Sequence, residues 1–516
     1  MKSRKLGEFY RGVLLLSVLG VIAKFIGAIY RIPLTSLLGA EGIGIYQLVF
    51  PLYSLLLTIS SSGLPASISK LVSASLAVKD YKRTAKIMRA SFILLFIFSL
   101  ICSLIVVSFS SVFASFQGNS NATLSYIAIA PAIFFVGLIS GFRGYAQAHE
   151  NMRPTAISGL IEQIVKMVAG LLFSYLLLDK GVAYASMGAV IGVSLSEVIA
   201  LFYLFINYII FKKKHSNENV RIIGFNFLKE SKNVLNVSFP ITLGFLILPL
   251  TQFIDSSVII NLLKFQGFST TASTELFGLS SGTVGSLINM PVAISLGIAM
   301  AVLPRVCRFF TNKDIAGTEK SASDAICVVV SIALPCSILM MIFSPEIIKL
   351  LYSNSLSNIN LIVASDILSV ASMSIFYLSI VQVTTGILQG IGKIKVPLIS
   401  LAIGGTIKVV LTILLVSIGQ VNIFGAEIAT AFCYFIAGAI NIVIMKKHLN
   451  LNIMKSIWFA ICVSITIFFI SIIIKTINIS AIFSLLIIGF ASIIIYVIMY
   501  LIFFKRKKHL NTINLK

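Results

Sequence analysis

TAISGLIEQIVKMVAGLLFSYLLL, residues 155–178, is the stretch that decides the fold. It runs 24 residues with Glu162 and Lys166 as its only charges. A helix rises 1.5 Å per residue, so a run of this length crosses the roughly 30 Å of a bilayer's hydrocarbon core. A transmembrane β-strand would need only about ten residues and would alternate apolar with polar positions, which this run does not do. The segment reads as a membrane-spanning helix, and the lysine in its middle marks function. An ionisable side chain at membrane depth is costly, so it faces a partner or a water-filled path rather than lipid.

Runs of the same kind recur along the chain. Fourteen are expected, at 11–32, 43–76, 91–113, 123–147, 155–178, 182–211, 234–262, 279–303, 322–344, 361–389, 396–418, 423–445, 456–475 and 479–504. Composition agrees: of 516 residues, 58% are hydrophobic and 11% charged, and the mean hydropathy is +1.04. The expected class is an all-α integral membrane protein with 14 transmembrane helices. The first run follows MKSRK, as a signal peptide would. It carries Lys24 and Arg31 and is followed by no small-residue cleavage site, so it is read as the first span.

The net charge of +23 is mostly topology. Of the 40 Lys and Arg, 31 fall in alternate connecting segments starting with the N-terminus, 5 in the intervening ones and 4 within spans. By the positive-inside rule both termini are expected on the cytoplasmic side of the cell membrane. No nucleic-acid partner is needed to explain the basicity. The runs Lys212–Lys214 and Lys505–Lys508 are orientation signals that also meet anionic headgroups. The six cysteines lack metal-ligand spacing, and His149, His215, His448 and His509 are scattered. Neither metal nor cofactor is expected. There is no Walker loop and no nucleophile–base constellation, so the chain does not read as an enzyme.

The halves repeat. GLPASISKLVSASLAVKD runs from Gly63 to Asp80, and GIAMAVLPRVCRFFTNKD from Gly297 to Asp314. Lys166 lies 12 residues past Pro154, and Lys408 lies 11 past Pro397. Spans six and twelve both end in Lys-Lys plus His. The expected organisation is an N-lobe at 1–215 (spans 1–6), a cytoplasmic linker at 216–233, a C-lobe at 234–450 (spans 7–12), and a final helix pair with a basic tail at 451–516. A shift of six spans keeps the orientation, which is the parallel kind of repeat, and in such transporters the substrate site lies between halves near the midplane. Lys166 and Lys408 are then expected to face each other across the axis. The alternative is that both snorkel outward. Their depth of roughly 16–18 Å beyond the prolines argues against it.

Other polar groups share the membrane interior. Lys24 and Arg31 are seven residues apart, on one helical face with Gly27 between them. Arg31 either lines a cavity or anchors the outer helix end. Glu162 and Lys166 have i,i+4 spacing and are expected to pair at rest, with a substrate anion displacing the carboxylate. Asp255 and Glu197 either bind a coupling cation or balance a lysine. Lys70 and Arg143 read as snorkelling residues near cytoplasmic ends. Gln163, Gln252, Asn289 and Gln382 are placed to line an aqueous cavity and hydrogen-bond a sugar. Lys24, Arg31, Glu162, Lys166 and Lys408 form the expected substrate-binding set. Its cationic balance points to an anionic cargo.

Several segments together carry a resemblance: AKFIGAIYRIPLTSLLGAEGIGIYQLVFP (23–51), GLPASISKLVS (63–73), RGYAQAHENMRPTAISGLIEQIVK (143–166), FPITLGFLILPLTQFIDSSVI (239–259) and ELFGLSSGTVGSLINMPVAISLGIAMAVLPRV (275–306). The chain resembles the stage V sporulation protein B branch of the polysaccharide-biosynthesis flippases. Their superfamily also holds MurJ-type lipid II flippases and multidrug MATE exporters. The resemblance implies two six-helix lobes forming a V around a central cationic cavity, plus a final helix pair, in a bacterial cell membrane. It implies a lipid-linked saccharide as cargo: a polyprenyl pyrophosphate, with the peptidoglycan precursor lipid II for the spore cortex or cell wall as the leading candidate. Membrane lipids and cell-wall synthesis enzymes are the implied partners. Lys24 and Arg31 fall where the MurJ-type first helix has cavity arginines, and Pro304-Arg305 matches a Pro-Arg at the end of helix eight. Ser286 departs from the pattern, standing about where the MurJ-type eighth helix has an arginine. An anion site here must be composed differently, with Lys166 and Lys408 as the available cations. Two alternatives stay open: a cation-coupled exporter of the MATE type, which wants an acidic cavity, and a non-transporting scaffold for cell-wall synthesis.

Overall fold

The computed structural model describes residues 2–214, 224–451, 454–476 and 481–500. Residues 216–223 of the expected linker, the N-lobe's His215 and the basic run Lys505–Lys508 lie outside the described residues. Among the described residues all regular structure is helical, and it divides into two compact units, Met1–Gly282 and Thr283–Lys516.

The first unit opens with α1 (Lys2–Leu57), which carries the first apolar run and the start of the second in one element. It breaks at Gly39, whose φ of 65° and ψ of −173° are a backbone state that glycine adopts freely and other residues resist. A π-helical turn at Thr58–Ser62 leads into α2 (Gly63–Ala77). Then follow α3 (Tyr81–Ser108), the short α4 (Ser110–Phe116), α5 (Thr123–Ala148), α6 (Arg153–Leu177), α7 (Val182–Lys214), α8 (Phe227–Phe265) and α9 (Thr270–Phe277). A second π-helical stretch, Gly278–Val284, spans the boundary between the units. The second unit holds α10 (Gly285–Thr311), α11 (Ile315–Ile342), α12 (Ser344–Tyr352), α13 (Asn358–Ala371), α14 (Met373–Gly390), α15 (Lys395–Val416), α16 (Phe424–Lys446), α17 (Met454–Thr476) and α18 (Ala481–Tyr500).

Twelve helices among the described residues are long and apolar enough to cross a membrane. The first, Val18–Ala77, takes up two of the fourteen runs read from the sequence. The run at 361–389 is not one helix. It divides at the fully buried Ser372, whose carbonyl accepts a hydrogen bond from Ser337 Oγ at 2.7 Å, and Met373–Gly390 is the part long enough to cross. The last run, at 479–504, falls partly outside the described residues. Apolar side chains such as Leu104, Val168 and Phe202 stand more than half exposed, as a lipid-facing surface requires.

In the first unit α6 packs on α7 and α1, and α5 packs on α7 and α3. The α6–α7 contact is unusually close. A Cβ added to Gly192 would run into the backbone of Gly170. Helices surrounded by lipid gain little from burying apolar surface against each other, so small residues that let backbones touch do the work of association. This contact sets the rotation of α6, and with it the face that carries Ser158, Glu162 and Lys166.

The repeat is written in hydrogen bonds as well as letters. Lys79 and Lys313 both take a left-handed backbone, at φ 56° and 59°. The next residue, Asp80 or Asp314, caps the following helix, accepting from the backbone N of Arg83 at 2.9 Å or of Gly317 at 2.8 Å. Ser103 Oγ donates to the carbonyl of Ala130 at 2.7 Å, and Ser337 Oγ to that of Ser372 at 2.7 Å. Glu150 and Gly392 are the left-handed residues of matching turns, and eight residues on Ser158 and Ser400 each donate back three residues, both at 3.0 Å. Gly144 abuts Pro65, as Gly386 abuts Ala299. Thus α2, α3, α5 and α6 have counterparts in α10, α11, α14 and α15. The step from Glu150 to Gly392 is also the step from Lys166 to Lys408, so the two lysines occupy equivalent positions.

Candidate functional site

On α6, Ser158, Glu162 and Lys166 follow at intervals of four and so share one stripe. Arg143, near the end of α5, reaches that stripe. It donates from Nε and Nη2 to Ser158 Oγ, at 3.1 and 2.8 Å, and forms an ion pair with Glu162. The two side chains are 23% and 16% exposed. Arg143 therefore does not snorkel outward. Its planar fork meets a hydroxyl and a carboxylate at once, a geometry that holds the guanidinium inward. The expected resting pair of Glu162 with Lys166 is replaced by this one, because the arginine has two acceptors within reach where the lysine offers a single point charge.

Lys166 is half-buried, and the charges acting on it are Arg31, Glu197 and Glu162. Glu197, on α7, is 7% exposed, and its Oε2 has no hydrogen-bond partner. It lies in the field of Glu162, Arg143 and Lys166. Arg31 is half-buried with its guanidinium 5.1 Å from the centroid of the Tyr46 ring, a cation–π contact, and its Nη1 is buried without a hydrogen-bond partner. Tyr53 lies in the field of Glu197, Glu162 and Arg143. The first unit thus gathers three cations (Arg31, Arg143, Lys166) against two carboxylates (Glu162, Glu197). The apolar scaffold around them weakens screening and strengthens each pairwise term.

The other expected residues fall as follows. The room beside Gly27 is where Gln163 enters: a Cβ on Gly27 would lie 3.1 Å from Gln163 Oε1. Lys24 shares the α1 face of Arg31 but stands exposed, and the described ion pairs do not include it. Asp255, on α8, is buried beside Ser256, whose hydroxyl accepts from Gln117 Nε2 at 2.7 Å. Asn289 turns back to the carbonyl of Gly285 at 2.7 Å, Ser286 Oγ donates to the carbonyl of Thr283, and Gln382 keeps a buried Oε1 without a partner.

Lys408 belongs to the second unit. There the stripe of α15 is built differently. Thr385 and Gly404 stand where Arg143 and Glu162 stand in the first half. Ser400 Oγ donates to Asn441 Oδ1 at 2.7 Å, and Asn441 Nδ2 donates to Thr384 Oγ1 at 3.1 Å. A neutral network occupies the place of the ion pair. The sequence signalled the lysines, which are visible as isolated charges. It did not signal Arg143, Tyr46 or Tyr53 as part of the cluster, because their membership depends on how α1 and α5 pack against α6.

Comparison with known proteins adds the following. The family model for Polysaccharide biosynthesis protein matches residues 9–310, and that for MatE matches residues 240–414. The chain is 28% identical over 355 residues to stage V sporulation protein B of Bacillus subtilis (strain 168), covering 67% of each chain. It is 24% identical over 463 residues to lipid II flippase MurJ of the same organism, covering 86% of this chain and 83% of that one. A solved structure of lipid II flippase MurJ, in an inward closed conformation, superposes with a TM-score of 0.76 at 13% identity, covering 95% of this chain and 99% of that one. At that identity the likeness is one of fold.

Proposed function

The chain belongs to the polysaccharide biosynthesis protein family, and from that premise we propose that it is a flippase carrying a polyprenyl-pyrophosphate-linked saccharide outward across a bacterial cell membrane. The leading cargo is lipid II, which the names of two similar proteins suggest. The observation that carries the reading is the cluster of Arg31, Arg143 and Lys166 against Glu162 and Glu197, with Arg31 Nη1 buried and unpartnered. A buried guanidinium N–H without an acceptor is costly, and a phosphate oxygen supplies the acceptor.

In this mechanism the headgroup enters from the cytoplasm while the polyprenyl tail stays in the bilayer. Lys166 and Arg31 neutralise the pyrophosphate. Lysine suits a moving anion because its ammonium is a flexible point charge that follows the phosphates. Arg143 keeps Glu162 occupied, so that the carboxylate does not compete for Lys166. Glu197 balances the cations when the site is empty or takes a coupling cation. Lys24, Lys408 and Asp255 complete the proposed set.

The test is a flipping assay on purified protein in proteoliposomes carrying lipid II. Lys166→Ala is expected to cut flipping more than tenfold, and adding Lys408→Ala to cut it further. Undiminished flipping by the double variant would sink the site. A second reading, a cation-coupled exporter, is favoured by the MatE match and the cluster's carboxylates, the partly buried Glu162 and the buried Glu197. Efflux of a cationic dye that depends on Glu197, with no lipid flipping, would select it.

A further inference from the structure

Away from the charged cluster, the first unit keeps a cavity of about 140 Å³ between the ends of α5 and α7 and the start of α6. Its walls are aromatic: Phe142 and Tyr145 from α5, Tyr208 and Phe211 from α7. Tyr145 and Phe142 lie 5.0 and 5.4 Å from Tyr208, centroid to centroid. At the outer lip Ile210 is 61% exposed and the neighbouring Phe205 46%, so the cavity borders the lipid-facing surface of α7.

Its rim is basic. Lys212 Nζ sits 5.9 Å above the ring of Tyr208, Lys213 follows it in sequence, and Arg153 lies between the lining residues Asn151 and Pro154. Glu150 is the carboxylate of that turn. This is the end of α7 that the charge bias assigns to the cytoplasmic leaflet.

The fold does not demand this space. The repeat places Ile387 and Leu388 where Tyr145 and Ala146 stand, and Met445 packs against them. In the second unit these are fully buried in an aliphatic core with Ile391, Leu449 and Ala460. One half fills the position, and the other keeps it open and rings it with aromatics. An apolar recess that opens beside lipid is filled from the bilayer, and exposed apolar hollows with polar rims mark membrane or ligand contact.

We propose that the cavity binds an anionic glycerophospholipid, with a stretch of acyl chain among the rings and the phosphate against Lys212, Lys213 and Arg153. The volume is four to five times the ~30 Å³ share of one water, enough for a short run of methylenes. An aromatic box also suits a quaternary ammonium. Here, however, Lys212 already covers the face of Tyr208, and the basic rim repels a trimethylammonium head. Basic pockets between helices at the cytoplasmic surface bind anionic headgroups by the same electrostatics. The inference does not depend on the identity of the transported cargo.

The experiment is native mass spectrometry of the purified, delipidated full chain titrated with phosphatidylglycerol or phosphatidylcholine. The wild type is expected to retain phosphatidylglycerol in preference to phosphatidylcholine. Lys212→Ala with Lys213→Ala should weaken that binding roughly 30-fold. Ala146→Phe, which fills the cavity and leaves the rim intact, should abolish it. The rim variant leaves every residue that lines the cavity in place, so it decides the matter even if the filled variant folds poorly. Equal retention of the two lipids, unchanged phosphatidylglycerol binding in the rim variant, or displacement of phosphatidylglycerol by an equal concentration of a polyprenyl phosphate would each overturn the assignment.

Discussion

Arg143 shows what single residues conceal. It sits near the end of an apolar helix, where a long cationic side chain normally turns to the surface. Nothing in its own neighbourhood of sequence says otherwise. Only the approach of α5 to α6 gives it Ser158 and Glu162 and turns it inward. Lys166, by contrast, was legible at once, because no local arrangement makes a lysine comfortable in an apolar run of 24 residues. The pair can be tested directly. Removing one partner leaves the other charge partly buried and uncompensated. A fully buried case costs about 3–5 kcal/mol, and the exposure of this pair brings the expectation down to about 1–3 kcal/mol. Arg143→Ala should therefore lower the detergent-solubilised melting temperature. Arg143→Ala with Glu162→Ala should recover much of the loss. A double variant no more stable than the single one would show that the two side chains are not coupled.

At the scale of elements, hydropathy located the helices and missed how they are interrupted. It measures apolar length, and it is blind to backbone hydrogen bonding. The break at Gly39, the division at Ser372 and the two π-helical stretches all lie inside apolar sequence. The connections were more readable. The Lys-Asp pairs at 79–80 and 313–314 matched by eye, and each proves to be the same turn and cap. Replacing an N-cap aspartate with alanine costs about 1 kcal/mol. Asp80→Ala and Asp314→Ala should each lower stability by that amount, measured as equal shifts of melting temperature. A large effect at one site with none at the other would show that the matching turns carry different loads.

For the whole molecule, the repeat is deep in its framework and shallow in its chemistry. Backbone turns, caps and close helix contacts recur from one half to the other, whereas the Arg143–Glu162 pair does not, Thr385 and Gly404 standing at its two positions. Sequence comparison of the halves shows the lysines and the exchange of Arg143 and Glu162 for Thr385 and Gly404, and it hides the different partners of Ser158 and Ser400, which depend on packing. An anionic cargo also ties rate to membrane potential. Moving one charge through 100 mV is worth about 2.3 kcal/mol, so a net charge of roughly −2 carried outward gains on the order of 5 kcal/mol per 100 mV when the inside is negative. Flipping in proteoliposomes should accelerate with an inside-negative clamp and slow when its sign is reversed. Equal rates at both polarities would mean that protein charges move to cancel the cargo's. The neutral Ser400–Asn441–Thr384 network has a consequence for descent and for engineering. If a single ancestral module was duplicated, one copy settled on an ion pair at this place between helices and the other on a neutral network, and the two are no longer interchangeable there. A chimera carrying the first copy twice would double the Arg143–Glu162 pair, while one carrying the second copy twice would lose it, though both would inherit the same turns and caps.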